Sequence, residues 1–263
     1  MFKTFDVEQL GNQMKEIEQK YAGELFNTKA PICVRLDGKG FSHYTSKLDK
    51  PFDTNFSELM IEVTKFLIKE TNAVIGYTQS DEITLILYNE DPLKQIYFNG
   101  KIQKIVSTLA SLATAKFNQL VKQYLADKNV PDLAIFDCRA WKVKDKVEAA
   151  KVLLWRECDA TKNSVSIACR TYFNHSAVFG KKSKEMKKML LEKGIDWSQY
   201  PNAFKFGTYL KREEELYTLS NDELDKIPKK HRPTEPIKRK IINKLDISPL
   251  SKKENLIDII FKI

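Results

Sequence analysis

Three acidic residues lie at the ends of apolar segments in the first third of the chain. Asp37 comes directly after a short apolar run, and Asp81 and Glu82 lie between two runs of β-branched and aromatic residues. Mg²⁺ prefers oxygen ligands and is bound by one or two carboxylates together with substrate phosphates. Two metal ions that share carboxylates stabilise both the attacking and the leaving oxygen in phosphoryl transfer. The pattern therefore predicts a nucleotidyl-transfer site with two Mg²⁺ ions.

A glycine-rich loop follows Asp37. Gly38 and Gly40 allow backbone N–H groups to approach phosphate oxygens, because neither residue has a Cβ in the way. Lys39 lies between them and either neutralises phosphate charge or is a solvated loop lysine. We expect this loop to contribute to a nucleotide-binding pocket.

Hydrophobic periodicity predicts the elements that position these residues. The order is strand, helix, strand, strand, helix, strand, which is the signature of a ferredoxin-like α+β fold, a βαββαβ palm with an antiparallel sheet and helices on one face. The predicted elements cover residues 32–36, 52–67, 73–78, 83–88, 102–120 and 133–138. A crossover through a helix makes the first two strands parallel. Asp37 and the tip of the hairpin are therefore expected at the same edge of the sheet.

The palm is expected within residues 1–140, together with an N-terminal helix whose apolar face carries Leu10, Met14, Ile17 and Tyr21. Residues 141–263 are predicted to form a helical and extended region with a basic C-terminal extension, packing on the palm and contacting RNA. Helices are predicted at 147–156 and 183–193, and the sequence after about residue 211 is charged and interrupted by prolines.

Composition indicates the class of partner. The chain has 263 residues and a net charge of +9, and the segment 226–244 alone contains eight Lys or Arg and one Glu. A polyanionic partner fits this charge, although a merely soluble basic protein does too. No apolar run reaches the ~18 residues of a membrane span, and no secretory signal is recognisable, so we expect a cytoplasmic protein. The four cysteines are scattered in apolar segments and are expected to be buried free thiols.

Several segments resemble motifs of the tRNA(His) guanylyltransferase family, in the same order along the chain. Residues 34–41, VRLDGKGF, resemble R-[IL]-D-G-[RK]-x-F, and residues 76–82, GYTQSDE, resemble G-Y-G-Q-S-D-E. Further similarity is found at residues 50–53 (KPFD), 136–139 (FDCR), 154–159 (LWRECD) and 206–208 (FGT). Together these segments identify the chain as a member of the family over about residues 30–212.

The resemblance implies a reverse polymerase that adds nucleotides to the 5′ end of tRNA in the 3′-to-5′ direction. ATP first adenylylates the 5′ end, and GTP or another NTP is then added. Asp37, Asp81 and Glu82 would be catalytic, with Asp37, Asp81 and the Gly38 carbonyl as metal ligands. The resemblance and the loop chemistry assign nucleotide binding to Asp37, Gly38, Lys39, Gly40, Phe41, Ser42, Lys50, Ser80 and Asp81. RNA contacts are expected from Arg156, Asn163, Lys181, Lys182 and Lys187, and the family implies a homotetramer.

Two departures from the family pattern bear on the substrate. Thr161–Ser164 occupies the place of the H-I-N-N segment of eukaryotic members, and Phe206 replaces the lysine of K-G-T. We therefore favour template-dependent 5′-end repair over a dedicated tRNA(His) enzyme that adds one extra G. A nucleotide cyclase, a forward polymerase and a non-catalytic RNA-binding module remain alternatives. Trp141, Trp155 and Trp197 are expected in the core rather than as base-stacking platforms.

Overall fold

A six-stranded antiparallel sheet forms the centre of the protein in the computed structural model, which describes residues 7–26, 29–91 and 94–262, and of Val7 the backbone alone. The strands are β1 (Ile32–Gly38), β2 (Ile75–Gln79), β3 (Glu82–Leu87), β4 (Phe136–Lys142), β5 (Thr208–Tyr217) and β6 (Ile237–Leu245). Their order across the sheet is β4-β1-β3-β2-β5-β6.

Helices precede, connect and cover these strands. The long ones are α1 (Val7–Ala22), α3 (Thr54–Thr71), α4 (Ile102–Tyr124), α5 (Lys146–Tyr172) and α7 (Ser183–Glu192). The short ones are α2 (Phe41–Tyr44), α6 (His175–Val178), α8 (Asn202–Phe206), α9 (Asn221–Asp225) and α10 (Leu256–Phe261). Single 3₁₀ turns cover Thr45–Lys47, Tyr97–Gly100, Trp197–Gln199, Lys229–His231 and Leu250–Lys252.

The first four strands with α3 and α4 form the predicted ferredoxin-like palm. Alternate residues of β1, namely Ile32, Val34 and Leu36, are fully buried in the cluster that α3 and α4 contribute to. Gly76 of β2 allows α3 to approach closely, because a Cβ there would lie 2.8 Å from the Ile68 side chain. The α+β fold class predicted from the sequence is confirmed, with both palm helices on one face of the sheet.

The opposite face of the sheet is covered by α5 and α10. Cys33 of β1 and Ile86 of β3 point to that face and are buried with Leu153 of α5 and Ile260 of α10. The sequence predicts a helix only over residues 147–156, whereas α5 continues to Tyr172. This longer helix passes the end of the sheet where β1 ends and β3 begins.

The charged sequence after residue 211 contributes two strands to the palm sheet, which the sequence did not predict. β5 pairs with β2 as far as Lys211, and the following residues of β5 pair with β6. We call residues 212–217 and 237–242, which pair with each other beyond β2, the outer ribbon. The dense charge of this segment hid the alternation that normally indicates a strand.

Two further expectations concern exposure. The apolar face of α1 forms as predicted, and its residues Leu10, Met14, Ile17 and Tyr21 are exposed. All four cysteines are free thiols, but only Cys33 and Cys169 are buried. Cys158 is exposed on α5, so the expectation of uniformly buried thiols is wrong there.

No helix in the described ranges is long and apolar enough to cross a membrane.

Candidate active site

The three acidic residues meet at one edge of the sheet. Asp37 at the end of β1 lies directly opposite Glu82 at the start of β3. Asp81 belongs to the two-residue turn between β2 and β3, in which Ser80 has a positive φ of 52°. Both β1 and β2 pair antiparallel with β3, so they are parallel to each other and end at the same edge. The convergence expected from the topology is therefore present.

Asp81 is strongly perturbed by this arrangement. Burial, together with the negative charges of Asp37 and Glu82, raises its pKa to about 6. Hydrogen bonds from its own backbone amide and from the Ser80 side chain oppose the shift. A buried carboxylate beside like charges is stabilised when a cation is bound there.

Arg156 of α5 forms a bidentate ion pair with Glu82. Its Nε and Nη2 atoms each donate to one Glu82 carboxylate oxygen at 2.6 Å, and its Nη1 donates to Asp159 at 2.9 Å. Burial works against the charged guanidinium, but Glu82 and Asp159 raise the pKa of Arg156. Burial also raises the pKa of Glu82, an effect that Arg156 opposes.

This ion pair bears on two sequence expectations. Both oxygens of Glu82 are engaged by Arg156, so Glu82 supports the site by anchoring the hairpin to α5. Arg156 is buried, with partners inside the protein, and its predicted contact with RNA therefore has no support in the structure.

A further carboxylate and a cation lie on the neighbouring edge strand. Asp137 of β4 is directly opposite Asp37. The Arg139 guanidinium lies 3.3 Å from Asp137 and 3.9 Å from Asp37. The signal was present in the FDCR segment, but only the register of β4 against β1 shows that these residues flank Asp37.

The glycine loop after β1 is shaped by an aromatic anchor. Phe41 is buried and packs on Tyr44, Phe117 and Phe136 at centroid distances of 4.9 to 5.5 Å. A Cβ on Gly38 would lie 2.3 Å from the Phe41 ring, so that ring requires glycine at position 38. The loop backbone is thereby fixed next to Asp37.

A cavity of about 570 Å³ opens beside the carboxylates. Five of the predicted nucleotide-binding residues line it: Phe41, Ser42, Lys50, Ser80 and Asp81. The cavity is not lined by the remaining four, which are Asp37, Gly38, Lys39 and Gly40. The cavity is also lined by Asp49, Phe52, Arg170 and Phe204. They come from α5, α8 and the segment before α3, which are distant in sequence.

The predicted RNA-binding residues are dispersed along the C-terminal half. Asn163, Lys181 and Lys182 are exposed. Lys187 instead lies over the Trp197 ring, with its Nζ 3.4 Å from the centroid, and burial and Lys205 lower its pKa. Lys187 is therefore less available to RNA than the other two lysines.

The donor set at the sheet edge suits Mg²⁺. No three His, Cys, Asp or Glu side chains are grouped as metal ligands within the part of the chain that the structure describes. The protein would thus supply the Asp37 and Asp81 carboxylates and a backbone carbonyl such as that of Gly38. Magnesium sites of this kind are completed by substrate phosphates and water, so the residues present fit the ion.

Comparison with known proteins shows the family. The tRNAHis guanylyltransferase (Thg1) family profile matches residues 11–144. The chain belongs to this family, and it is a nucleotidyltransferase. An uncharacterized protein of Acanthamoeba polyphaga mimivirus is 32% identical, covering 78% of each chain. The tRNA(His) guanylyltransferase of Neurospora crassa is 28% identical over 70% of this chain and 67% of its own length.

Solved structures agree with this assignment. A bacterial tRNA(His) guanylyltransferase-like protein in complex with ATP has a TM-score of 0.72 and 36% identity, covering 78% of this chain and 87% of its own. A second bacterial structure of the same description, in complex with GTP, has a TM-score of 0.69 and 30% identity, covering 89% and 91%.

Proposed function

We propose that this guanylyltransferase adds nucleotides in the 3′-to-5′ direction to the 5′ end of tRNA, directed by the opposing base, and so repairs truncated 5′ ends. The observation that carries the proposal is the position of Asp81, which belongs both to the carboxylate cluster and to the wall of the cavity. A nucleotide in that cavity would have its phosphates beside the carboxylates.

The reaction consists of two phosphoryl transfers. First, the 5′-phosphate of the tRNA attacks the α-phosphate of ATP, pyrophosphate leaves, and an adenylylated 5′ end forms. Then the 3′-hydroxyl of GTP or another NTP attacks the activated 5′-phosphate, and AMP leaves. The bacterial relatives solved with ATP and with GTP support the use of both nucleotides. A pair of Mg²⁺ ions at Asp37, Asp81 and Gly38 would neutralise charge on the reacting phosphates.

The chain's own residues hold the reactants. Lys50 lies on the cavity wall, and its Nζ donates to the Thr45 carbonyl at 3.0 Å, which leaves further N–H groups for phosphate oxygens. Arg170 brings a second positive charge to the wall from α5. The ion pair between Arg156 and Glu82 fixes the hairpin that carries Asp81, which reduces the rearrangement needed during the reaction.

Two features support repair over addition of a single G to tRNA(His). The segment Thr161–Ser164 lacks the histidine found in eukaryotic members. Phe206, at the position of the K-G-T lysine, has a packing role, because its ring contacts Trp197 and its carbonyl accepts from the Tyr77 hydroxyl at 2.8 Å. We further propose a cytoplasmic homotetramer, as the family resemblance suggests.

Extension of a truncated tRNA tests the proposal. A 5′-triphosphorylated tRNA that lacks its first nucleotide carries its own leaving group, so it is incubated with each NTP singly, in four versions that differ in the opposing base. The 5′-monophosphorylated form is given ATP in addition, for activation. We expect addition of only the complementary nucleotide in each version. Addition of G whatever the opposing base would instead establish the tRNA(His) activity. A cyclic nucleotide formed without RNA, or extension at the 3′ end, would contradict the proposal.

The same assay with an Asp81→Asn variant distinguishes the proposed enzyme from a non-catalytic RNA-binding module. If the wild-type protein adds nothing and both proteins bind tRNA equally, the protein acts by binding alone. Loss of addition in the variant with retained tRNA binding supports the proposed catalysis.

A further inference from the structure

Trp155 differs from the other two tryptophans in its exposure. Its side chain is 49% exposed on α5. The Trp197 ring is covered by Lys187, and its Nε1 donates to the Ser164 hydroxyl at 3.2 Å. Trp141 is partly buried in the cluster beneath α5. The expectation of a core position is therefore wrong for Trp155.

The surroundings of Trp155 connect it to the carboxylates. The Arg156 guanidinium lies 4.5 Å from the ring centroid, and the Arg35 guanidinium lies 5.8 Å from it. Arg35 precedes Asp37 by two residues on the same face of β1, a distance of about 7 Å along a strand. Arg156 also holds Glu82. The ring thus lies beside the reactive edge of the sheet.

Arg35 adds a further positive charge beside Glu82, whose pKa it lowers. Its Nε is buried and has no hydrogen-bond partner among the described residues. On the adjacent strand, the Arg139 side chain is 54% exposed. Arg139 is the register partner of Arg35. An exposed aromatic ring with arginines along the adjoining strands suits a nucleobase with its neighbouring phosphates.

The nucleotide cavity lies on the other side of the carboxylates. Its α5 residues are Ile167 and Arg170, and Ile167 is twelve residues, or about 18 Å, along the helix from Trp155. Trp155 does not line the cavity. Because a nucleotide in the cavity would occupy one side of Asp37 and Asp81, the RNA end must approach them from another.

We propose that Trp155 is the stacking platform for the terminal base at the 5′ end of the RNA substrate. The inference rests on the proposed function, because it takes the RNA end as the second reactant. The ring would stack on the last base and place its 5′-phosphate next to Asp37. Arg35 and Arg139 would contact the phosphates that follow. Stacking of this kind tolerates any base, which suits an enzyme whose choice of nucleotide is made by pairing.

Steady-state kinetics on truncated tRNA test the platform. Trp155→Ala is expected to raise the KM for tRNA by roughly 5- to 150-fold, the loss typical of one base stacked on an aromatic ring, with the KM for NTP unchanged. Trp155→Phe should retain most of the affinity, because it keeps a ring. Trp155→Leu should behave like the alanine variant, although it is apolar. Trp197→Phe is the matched control and should leave both constants unchanged.

Fluorescence provides a readout that does not depend on catalysis. In a Trp141→Phe, Trp197→Phe protein, Trp155 is the remaining tryptophan, and we expect truncated tRNA to quench it and to protect it from acrylamide. Unchanged fluorescence at saturating tRNA, with an unchanged KM in Trp155→Ala, would overturn the inference while nucleotide addition by the wild type leaves the proposed function intact. Equal losses in the Phe and Leu variants would also overturn it, since they indicate a packing role. Quenching without any nucleotide addition would instead refute the proposed function.

Discussion

The three central strands and the outer ribbon belong to one sheet, but their charged residues are distributed differently. In β1, β2 and β3 the charged residues are Arg35, Asp37 and Glu82, all near the edge where the carboxylates meet. In the outer ribbon, charges of both signs occur along the whole length, as in Glu214 with Lys238 at 3.5 Å.

The difference reflects burial. A charge within a strand that is covered on both faces needs a partner or a ligand, because desolvation is costly. The central strands accordingly keep charge only where Arg156, Arg139 or a substrate can compensate it. The ribbon is exposed, so its charges cost little and protect the edge strand β6 from pairing with another chain. The position of a charge in the sheet therefore indicates chemistry more reliably than the net charge of +9.

The largest effect is expected when a carboxylate is neutralised at the edge where the ends of the central strands meet. Asp37→Asn or Asp81→Asn should lower nucleotide addition by roughly 10²- to 10³-fold or more, because stabilisation of the transferring phosphate is lost. The rate of radiolabelled NTP incorporation into truncated tRNA measures this change, with circular dichroism to show an intact fold. Glu214→Gln in the ribbon is the matched control and should retain full activity. Comparable losses in Glu214→Gln would refute the contrast between the two regions.

The next largest effect is expected when the ion pair between Arg156 of α5 and Glu82 of the hairpin is broken. Arg156→Met leaves Glu82 as a buried charge without its partner, so we expect a loss of about 3 to 5 kcal/mol in the free energy of unfolding. Urea denaturation measures this value. Adding Glu82→Leu to Arg156→Met should recover part of the stability, since both charges are then absent. A double variant no more stable than the single one would show that the two residues are not coupled.

A smaller effect is expected at Glu157, the next residue of α5. Both of its carboxylate oxygens accept from the Leu250 amide, at 2.7 and 2.9 Å, and the side chain is buried. Glu157→Gln keeps one acceptor oxygen, so we expect a loss of about 1 kcal/mol. Hydrogen exchange of the Leu250 amide should become faster than in the wild type. Unchanged exchange would mean that this contact does not hold the C-terminal segment on α5.

The smallest effect is expected where the exposed part of β6 meets α3. Lys244 donates to both Glu58 oxygens at 2.8 and 3.0 Å, and both side chains are almost half exposed. Lys244→Met should change the unfolding free energy by at most about 1 kcal/mol, and less in high salt. Thermal denaturation at two salt concentrations tests this. A loss comparable to that in Arg156→Met would contradict the proposed dependence on burial.

The palm could be predicted from the sequence because its signals are local. Alternation in β1 and the helical period of α3 identify the elements, and the Asp53 side chain caps α3 by accepting from the Phe56 amide at 2.9 Å. The crossover rule then places Asp37 near the hairpin without any knowledge of side-chain contacts. The cavity residues Ser42 and Ser80 were predicted from the family motifs.

The remaining features depend on contacts between distant segments. The partner of Glu82 is 74 residues away, and nothing in the sequence around Arg156 distinguishes an ion pair from an RNA contact. The exposure of Trp155 follows from which side of α5 meets the sheet, which periodicity alone did not determine. β5 and β6 were missed because neighbouring like charges in both strands obscure the period of two.

The contact between Glu157 and Leu250 has a consequence for synthesis of the chain. A buried carboxylate beside Arg156 receives its hydrogen bond from an amide 93 residues further on. A nascent chain that has emerged only as far as α8 already contains Asp37, Asp81, Glu82 and Arg156, but Glu157 still lacks this partner. The helix that supports the catalytic hairpin can reach its final packing only when Leu250 has left the ribosome. The final packing of α5 therefore follows the synthesis of Leu250, after Asp37, Asp81 and Glu82 have been made.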